Sequence, residues 1–165
     1  MCEEPLFSTP LKYEDFQSDP KAFIERIYGI YQAQFSGSPK LCGTLVKCSW
    51  HMEDGYPSGF WHIVSRQEES GRELDLRRAE RVSWCKEMIN LACHEAIKCW
   101  RTTKNKQERL HLWSPDDDYV VILGVNKNHF FLVTAFTELT KHRVDQFNRQ
   151  WSEYQQEKLA GATPC

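Results

Sequence analysis

The segment Gly59 to Arg66, GFWHIVSR, places two side chains that could do chemistry among bulky apolar residues. His62 has two apolar neighbours on each side, and Arg66 follows four positions later. An imidazole exchanges protons near neutral pH, and a guanidinium binds phosphate through a planar fork of donors. Neither group enters a dry core without a partner. The segment predicts either a core histidine with hydrogen-bond partners or a site that receives an acid–base group and a cation, and we favour the site.

A second group of cations lies on a helix that Asp75 is predicted to cap. Arg77 and Arg81 are one turn apart on it, and Arg78 and Arg81 are three positions apart. Guanidinium groups at these spacings repel each other unless an anion or a carboxylate lies between them. Glu80 could supply that carboxylate, whereas a phosphate would use the bidentate fork of arginine. The spacing leaves both interpretations open.

Thr134 is a polar residue on a strand face that is otherwise apolar in HFFLVTAF. Phe130, Leu132 and Phe136 share that face if the strand alternates regularly. A buried threonine is commonly satisfied by nearby backbone groups. Alternatively, its hydroxyl marks the point where a core face becomes the floor of a cleft.

The cysteines and carboxylates do not predict a metal centre. The chain has seven cysteines, an odd number without a CxxC pair, so we expect reduced thiols. Neither of two candidate zinc sets has the paired spacing of structural zinc sites. These sets are Cys42, Cys48, His51 and His62, and Cys93, His94 and Cys99. The run Asp116 to Asp118 follows a proline and precedes a strand, which favours a turn. We therefore expect no metal and no cofactor.

The motifs of several large enzyme classes are absent from the sequence. It has no GxSxG elbow, no P-loop and no dinucleotide glycine fingerprint. Histidine, arginine and hydroxyl side chains remain, and they suffice for metal-independent phosphodiester chemistry. Between Arg77 and Arg109 nine basic residues stand with four acidic ones, in a chain of net charge −2. A basic central segment in an acidic chain is consistent with binding of a phosphate ligand. Solvated helix and strand faces would give the same distribution of charge.

Length and composition bound the fold and the compartment. A chain of 165 residues that is 41% hydrophobic fits one domain with a core of ordinary size. Its apolar runs fall short of the roughly 20 residues that a membrane helix needs. The first residues, MCEEPLFSTP, are acidic where a signal peptide would be basic. We expect a cytoplasmic protein without membrane contact.

Hydrophobic periodicity predicts an α+β domain. Asp19-Pro20 starts a helix over about 20–35, and Leu41 to Trp50 is a strand or an irregular extended segment. The Asp75 helix presents an apolar stripe of Leu76, Ala79, Val82, Cys85 and Ile89. Hairpin-length loops then separate four predicted strands at 96–102, 109–113, 119–125 and 130–137, and a last helix follows Thr140.

The expected architecture is therefore N-terminal helices, a four-stranded antiparallel β-meander packed against the Asp75 helix, and a C-terminal helix. Residues 1–159 are expected to form a single domain whose N-terminal helical part covers about 1–36. The tail 160–165, AGATPC, is expected to be disordered.

The order of six segments resembles a group of phage and bacterial proteins assigned to the barnase–EndoU–colicin–RelE superfamily of metal-independent ribonucleases. The segments are GFWHIVSR, RRAERVSW (77–84), KCW (98–100), RLHLW (109–113), DYVVIL (118–123) and FFLVTAF (130–136). They cover about residues 59–155, which would be the nuclease-like core. The superfamily fold, about two helices followed by a four-stranded antiparallel sheet, agrees with the pattern read from the residues.

The resemblance implies RNA cleavage by attack of the ribose 2′-hydroxyl on its own phosphate. His62 matches the histidine of the family and would be the general acid–base group. Arg78 and Arg81 would stabilise charge on the phosphorane, and Thr134 would bind a phosphate oxygen. Substrate binding is expected from four further basic residues, which are Arg66, Arg77, Lys98 and Arg109.

Members of this superfamily differ in their acting residues, and some have lost activity. The first alternative is therefore a catalytically silent RNA- or protein-binding module on the same scaffold. A second alternative is a phage or defence regulator that binds a host protein through an aromatic surface. For an active toxin, the expected partners are RNA and an antidote protein.

Overall fold

The computed structural model describes residues 4–161, in which short helices and strands alternate before a larger sheet forms. After a 3-10 turn at Tyr13–Phe16, the helices are α1 (Pro20–Phe35), α2 (Ser58–Val64), α3 (Leu76–Ala79), α4 (Trp84–Asn90) and α5 (Lys141–Leu159). The first six strands are β1 (Lys40–Leu41), β2 (Thr44–Lys47), β3 (Met52–Glu53), β4 (Tyr56–Pro57), β5 (Ser65–Glu68) and β6 (Gly71–Leu74). The last four are β7 (Lys98–Lys104), β8 (Gln107–Ser114), β9 (Tyr119–Val125) and β10 (Phe130–Thr137).

Local signals in the sequence set the ends of the two long helices. The Asp19 carboxylate accepts hydrogen bonds from the backbone N–H groups of Lys21 and Ala22, and Pro20 occupies the first helical position of α1. Helix α1 buries Phe23, Ile27, Tyr31 and Phe35, one on each turn. The Thr140 hydroxyl caps α5 by accepting from the Arg143 N–H. The predicted helix over 20–35 and the predicted C-terminal helix are confirmed.

The single helix predicted after Asp75 is wrong, because the chain breaks it into α3 and α4. Asp75 caps the start as predicted, by accepting from the Arg78 N–H. At the break, the Glu80 carbonyl accepts a hydrogen bond from the Leu11 N–H at 2.8 Å. The N–H of Trp84 turns instead to the Arg81 carbonyl, in the tighter three-residue spacing. The N–H groups of Arg81 and Val82 already bond to the Arg78 and Ala79 carbonyls, so the helix tightens before it meets the N-terminal segment.

The main sheet has six strands in the order β1-β2-β10-β9-β8-β7, instead of the four predicted. Strands β7 to β10 follow each other as antiparallel neighbours. Strand β2 then joins β10 in parallel at Phe130 and Phe131. Strands β1 and β2 are two and four residues long, so they carry little periodic signal, and a parallel partner far along the chain leaves no local trace. The α+β class is confirmed, with a larger and mixed sheet.

The two faces of this sheet carry different cores. Alternate strand residues such as Leu112, Val121 and Leu132 join apolar side chains of α1, α2 and α4 in the main core. The opposite face carries a smaller aromatic cluster beneath α5, formed by Trp100, Trp113, Val120 and Phe147. Because side chains alternate along a strand, neighbouring residues of β8 and β9 serve different cores.

A β-bulge in β10 corrects the face predicted for Thr134. Leu132 pairs with Leu123, but Thr134 pairs with the next residue back, Ile122, so Val133 is an extra residue. Such an insertion shifts the alternation by one position. Leu132 therefore belongs to the main core, whereas Phe136 packs with the cluster beneath α5. The prediction that Phe130, Leu132, Thr134 and Phe136 share one face is wrong.

The described chain ends just after the C-terminal helix. Helix α5 ends at Leu159, and Ala160 and Gly161 form a turn. The remainder of the predicted disordered tail lies outside the described residues.

Within residues 4–161, every helix is too short or too polar to span a bilayer.

Candidate active site

Helix α2 turns His62 outward, leaves Trp61 half-buried and buries its other bulky residues. Phe60, Ile63 and Val64 lie in the main core, and the imidazole of His62 is exposed. The helix lies close to α1 because Gly59 has no side chain. A Cβ there would lie 2.5 Å from the Tyr31 hydroxyl and 2.7 Å from the Ser49 carbonyl oxygen. Gly59 thus allows the close approach of α2, and the buried positions of its apolar residues leave His62 on the exposed side.

Two hydroxyl groups tie the end of α2 to its surroundings. Thr134 Oγ1 donates to the backbone carbonyl of His62 at 3.0 Å. Ser65 Oγ donates to the carbonyl of Trp61 at 2.7 Å. The Trp61 carbonyl also accepts the backbone N–H of Ser65 at the end of the helix. The Thr134 hydroxyl supplies a partner to a carbonyl of the last turn, where helical donors run out. The Thr134 hydroxyl reaches this helix end from the position directly after the bulged residue Val133.

A surface depression of about 470 Å³ opens where α2, the β5–β6 hairpin and the bulge meet. We call it the bulge depression. Its lining includes His62, Arg66, Arg72, Arg78, Val133 and Thr134. Four of the eight residues predicted for the site, at 62, 66, 78 and 134, are therefore brought together. His62 and Thr134 are 72 positions apart in the sequence, so it is the tertiary fold that brings these residues together.

A second depression of about 540 Å³ adjoins the first across the bulge. We call it the hairpin depression, because the β7–β8 turn forms part of its wall. It is lined by His62 and Val133 again, together with Lys106, Glu108, Arg109 and Asn126. His62 therefore stands on the wall that the two depressions share, with basic residues on both sides of it.

Arg78 is the most enclosed cation of the bulge depression. Its Nη1 donates to the Ser65 carbonyl at 2.9 Å, and its Nε lies 3.4 Å from Asp75 Oδ2. Burial is the main cause of a lowered pKa for Arg78; the charge of Arg66 acts in the same direction, and Asp75 opposes both. An arginine still carries its proton at neutral pH under such a shift. The cation is thus held rigidly, with a second guanidinium close by.

Arg72 closes another side of the bulge depression. Its Nη2 donates to Glu53 Oε2 at 2.8 Å, and its guanidinium lies 5.4 Å from the ring centre of Trp61. The hydrogen bond from Arg72 is the main cause of a lowered pKa for Glu53, and the charge of His62 adds to that effect. A carboxylate is therefore close enough to His62 to interact with it electrostatically.

Three predicted site residues lie outside both depressions. Arg81 Nη1 donates to the Arg77 carbonyl at 3.0 Å, and its guanidinium stacks 5.0 Å from the Trp84 ring centre. Arg77 Nε lies 3.5 Å from Glu138 Oε1. Lys98 Nζ donates to Asn148 Oδ1 at 2.9 Å on the α5 side of the sheet. The prediction that Arg78 and Arg81 act together is not matched by their positions, since the helix breaks between them.

Arg109 is placed in the hairpin depression, where its Nη2 donates to Gln107 Oε1 at 2.7 Å. Sequence reasoning missed Arg72 and Lys106, both of which line the site. Arg72 pairs with Gln67 across the β5–β6 hairpin. The sequence ESG at 69–71 is a usable turn signal for that hairpin. No local signal marks Val133 as the bulged residue.

Metal-binding clusters are not found in the described chain, where no three His, Cys, Asp or Glu side chains come together suitably. The first candidate zinc set is dispersed, because Cys48 is buried in the main core whereas His62 is exposed beside the bulge. In the second set Cys93 and Cys99 line one cavity, but the described residues form no three-ligand cluster there. Comparisons of this chain with protein-family models, with curated proteins and with solved structures found no match.

Proposed function

We propose that this protein is a metal-independent endoribonuclease and that His62 is its general acid–base group. One observation carries the proposal: an exposed imidazole stands on the wall between two depressions, each lined by basic side chains. A polyanionic strand that crosses this wall would place one phosphate at His62 and its neighbours near cations on either side. The proposed compartment is the cytoplasm, where RNA is available.

The proposed reaction needs one group that first takes a proton and then returns it. His62 removes the proton from a ribose 2′-hydroxyl, and the 2′-oxygen forms a bond to the adjacent phosphorus. The bond from phosphorus to the 5′-oxygen breaks, and the imidazolium gives its proton to that leaving oxygen. The products are a 2′,3′-cyclic phosphate and a 5′-hydroxyl, so atoms and protons balance without a metal ion.

Arg78 is proposed to stabilise the negative charge that develops on the phosphorane. The hydrogen bond from Nη1 to the Ser65 carbonyl and the neighbouring Asp75 carboxylate orient the guanidinium, whose buried Nε has no hydrogen-bond partner among the described residues. Preorganised donors of this kind act without reorganisation during the reaction. Arg81 is left out of this role because it packs on Trp84.

Thr134 is proposed to position the histidine instead of binding phosphate. A hydroxyl has a single O–H donor, and that of Thr134 already points to the His62 carbonyl. A phosphate oxygen is an acceptor, so it needs a donor that Thr134 has engaged elsewhere. Strand binding falls to Arg66 and Arg72 on one side of His62, and to Lys106 and Arg109 on the other.

The decisive experiment incubates the purified protein with total RNA in EDTA and identifies the new RNA ends. We expect cleavage with 2′,3′-cyclic phosphate ends in the wild type. The His142→Ala variant is a matched control, since His142 is exposed on α5, and it should cleave like the wild type. Cleavage that EDTA abolishes would contradict the mechanism. Tight RNA binding without any cleavage would favour the silent module.

A further inference from the structure

The turn between β1 and β2 holds a cysteine where its geometry disfavours one. Cys42 and Gly43 form a two-residue hairpin loop in which φ is positive at both positions, 48° and 81°. This is the pattern of a type I′ turn, whose first position favours Asn, Asp or Gly. Two other loops of the chain with this pattern begin with Asp54 and Asn105, as the rule expects. Cys42 departs from a rule that these loops obey.

The side chain of Cys42 meets a second cysteine from a distant part of the chain. Its Sγ lies 3.3 Å from the Sγ of Cys93, and both residues are exposed. Cys93 lies in the turn that follows α4. A disulfide bond is about 2.05 Å long, so closing this gap needs a shift of roughly 1.3 Å. Surface turns make movements of that size readily.

We propose that Cys42 and Cys93 are an oxidation site, at which a hydroperoxide converts the two thiols into a reversible disulfide. With hydrogen peroxide, one thiolate attacks a peroxide oxygen and breaks the O–O bond, which gives a sulfenic acid and a hydroxide that takes up the thiol proton to become water. The second thiol then attacks that sulfur, forms the S–S bond and releases another water. Two thiols are oxidised and both peroxide oxygens are reduced, so the electrons balance.

The surroundings favour a disulfide over a metal ion and single out this pair. Cys42, Cys93 and Cys99 line a cavity of about 520 Å³, yet the described residues hold no three-ligand cluster suited to a metal. Cys48 and Cys85 are buried, and burial raises the pKa of both thiols, which suppresses the reactive thiolate. Among the five described cysteines, only Cys42 and Cys93 are exposed to an oxidant and also have a second sulfur 3.3 Å away.

The bond would join the β1–β2 turn to the end of α4, across 51 positions of sequence. It would therefore fix one wall of that cavity. A cross-link of this span restricts the unfolded chain, and we expect oxidation to raise the melting temperature by up to roughly 10 °C. The proposal is independent of the proposed ribonuclease activity.

The test treats the full chain with hydrogen peroxide, blocks remaining thiols and maps tryptic peptides by mass spectrometry. Cleavage after lysine puts Cys42 in LCGTLVK (41–47) and Cys93 in EMINLACHEAIK (87–98), so each peptide carries one cysteine. We expect these two peptides to appear linked and two hydrogen atoms lighter than their sum. Dithiothreitol should separate them and reverse the rise in melting temperature.

Three variants keep the test informative. Cys42→Asn and Cys93→Ser should both lose the linked peptides and the thermal shift. Because Asn suits the first position of a type I′ turn, Cys42→Asn should fold at least as stably as the reduced wild type. Cys99→Ser is the matched control and should keep the cross-link. A cross-link from Cys42 or Cys93 to any other cysteine, or oxidation of both to sulfinic acid without a cross-link, would overturn the proposal.

Discussion

His62 and His111 stand in similar sequence and in opposite surroundings. Each has apolar residues on both sides, in FWHIV and in RLHLW. His62 is exposed on the wall between two depressions, whereas His111 is buried and stacks on Trp100 with ring centres 4.8 Å apart. The chain thus contains both a core histidine and a candidate site histidine, and apolar neighbours alone do not tell them apart.

The period of the element decides between the two outcomes. In helix α2, successive residues turn by about 100°, so His62 points away from buried Ile63 and Phe60. In strand β8, alternate residues share a face, so His111 lies on the face of Trp113 beneath α5. The two histidines therefore differ because one stands on a helix and the other on a covered strand.

The largest expected effect is the loss of cleavage when His62 is replaced. The His62→Ala variant should cleave RNA roughly 10²-fold or more slowly, which is the scale for losing a general acid or base. Its fold should persist because the removed side chain is exposed. The measurement is the cleavage rate of a labelled RNA in EDTA, with circular dichroism as a check of folding.

The buried histidine and Arg81 serve as controls for that comparison, and Arg78 provides a second test of the site. His111→Phe keeps a ring against Trp100 and should cleave at close to the wild-type rate at pH 7.

Arg78→Ala should slow cleavage by about 10²–10³-fold, as loss of an oxyanion donor does. Arg81→Ala should have a much smaller effect, since this side chain lies outside both depressions. Full activity of His62→Ala would remove the proposed mechanism.

Sequence reasoning succeeded where local chemistry decides the structure. Asp19-Pro20 and Thr140 begin helices as predicted, because a cap needs only its own first turn. The predictions are wrong where contacts between distant segments determine the structure. The Asp75 helix breaks where the N-terminal segment bonds to the Glu80 carbonyl, and β2 joins β10 across more than eighty positions.

The candidate site, too, is predictable from the sequence only in part. His62, Arg78, Arg81 and Thr134 interrupt regular apolar or amphipathic patterns in the sequence, and the structure brings all of them except Arg81 to one depression. Their common depression depends on the bulge at Val133, which no property of the sequence FFLVTAF predicts. Arg77 and Lys98 are predicted from their charge, and charge does not specify which surface a side chain faces. Arg81 lies outside the depression because it packs on Trp84 beyond the break in the helix.

The second expected effect is a dependence of stability on pH that arises from His111. Burial is the main cause of its low pKa, about 4, and the charges of Arg143 and Arg109 lower it further. In the unfolded chain the imidazole takes up a proton near its ordinary pKa of 6.5. Between these two values the unfolded state binds more protons, so stability falls as pH is lowered. The loss should approach about 3 kcal/mol at pH 4.

Urea unfolding of the wild type and of His111→Phe at several pH values separates this contribution from that of the carboxylates. The wild type should lose more stability than the variant between pH 6.5 and pH 4. His62→Ala should follow the wild type in this experiment, because His62 is exposed in the folded state. Equal slopes for the wild type and His111→Phe would show that His111 is not held neutral by the fold.

The smallest expected effect concerns the contact that holds His62 in place. Thr134→Val keeps the size of the side chain and removes the donor to the His62 carbonyl, now 3.0 Å away. The free energy of unfolding should fall by about 1 kcal/mol, the usual net value of such a bond. If the bond positions His62, kcat should fall several-fold while KM changes little, because the basic residues of both depressions remain. Thr134→Ser retains the donor and should restore both quantities. A variant with lower stability and an unchanged kcat would show that Thr134 supports the fold of α2 without positioning its histidine, and the exposed and buried histidines would then differ in their surroundings but not in how tightly they are held.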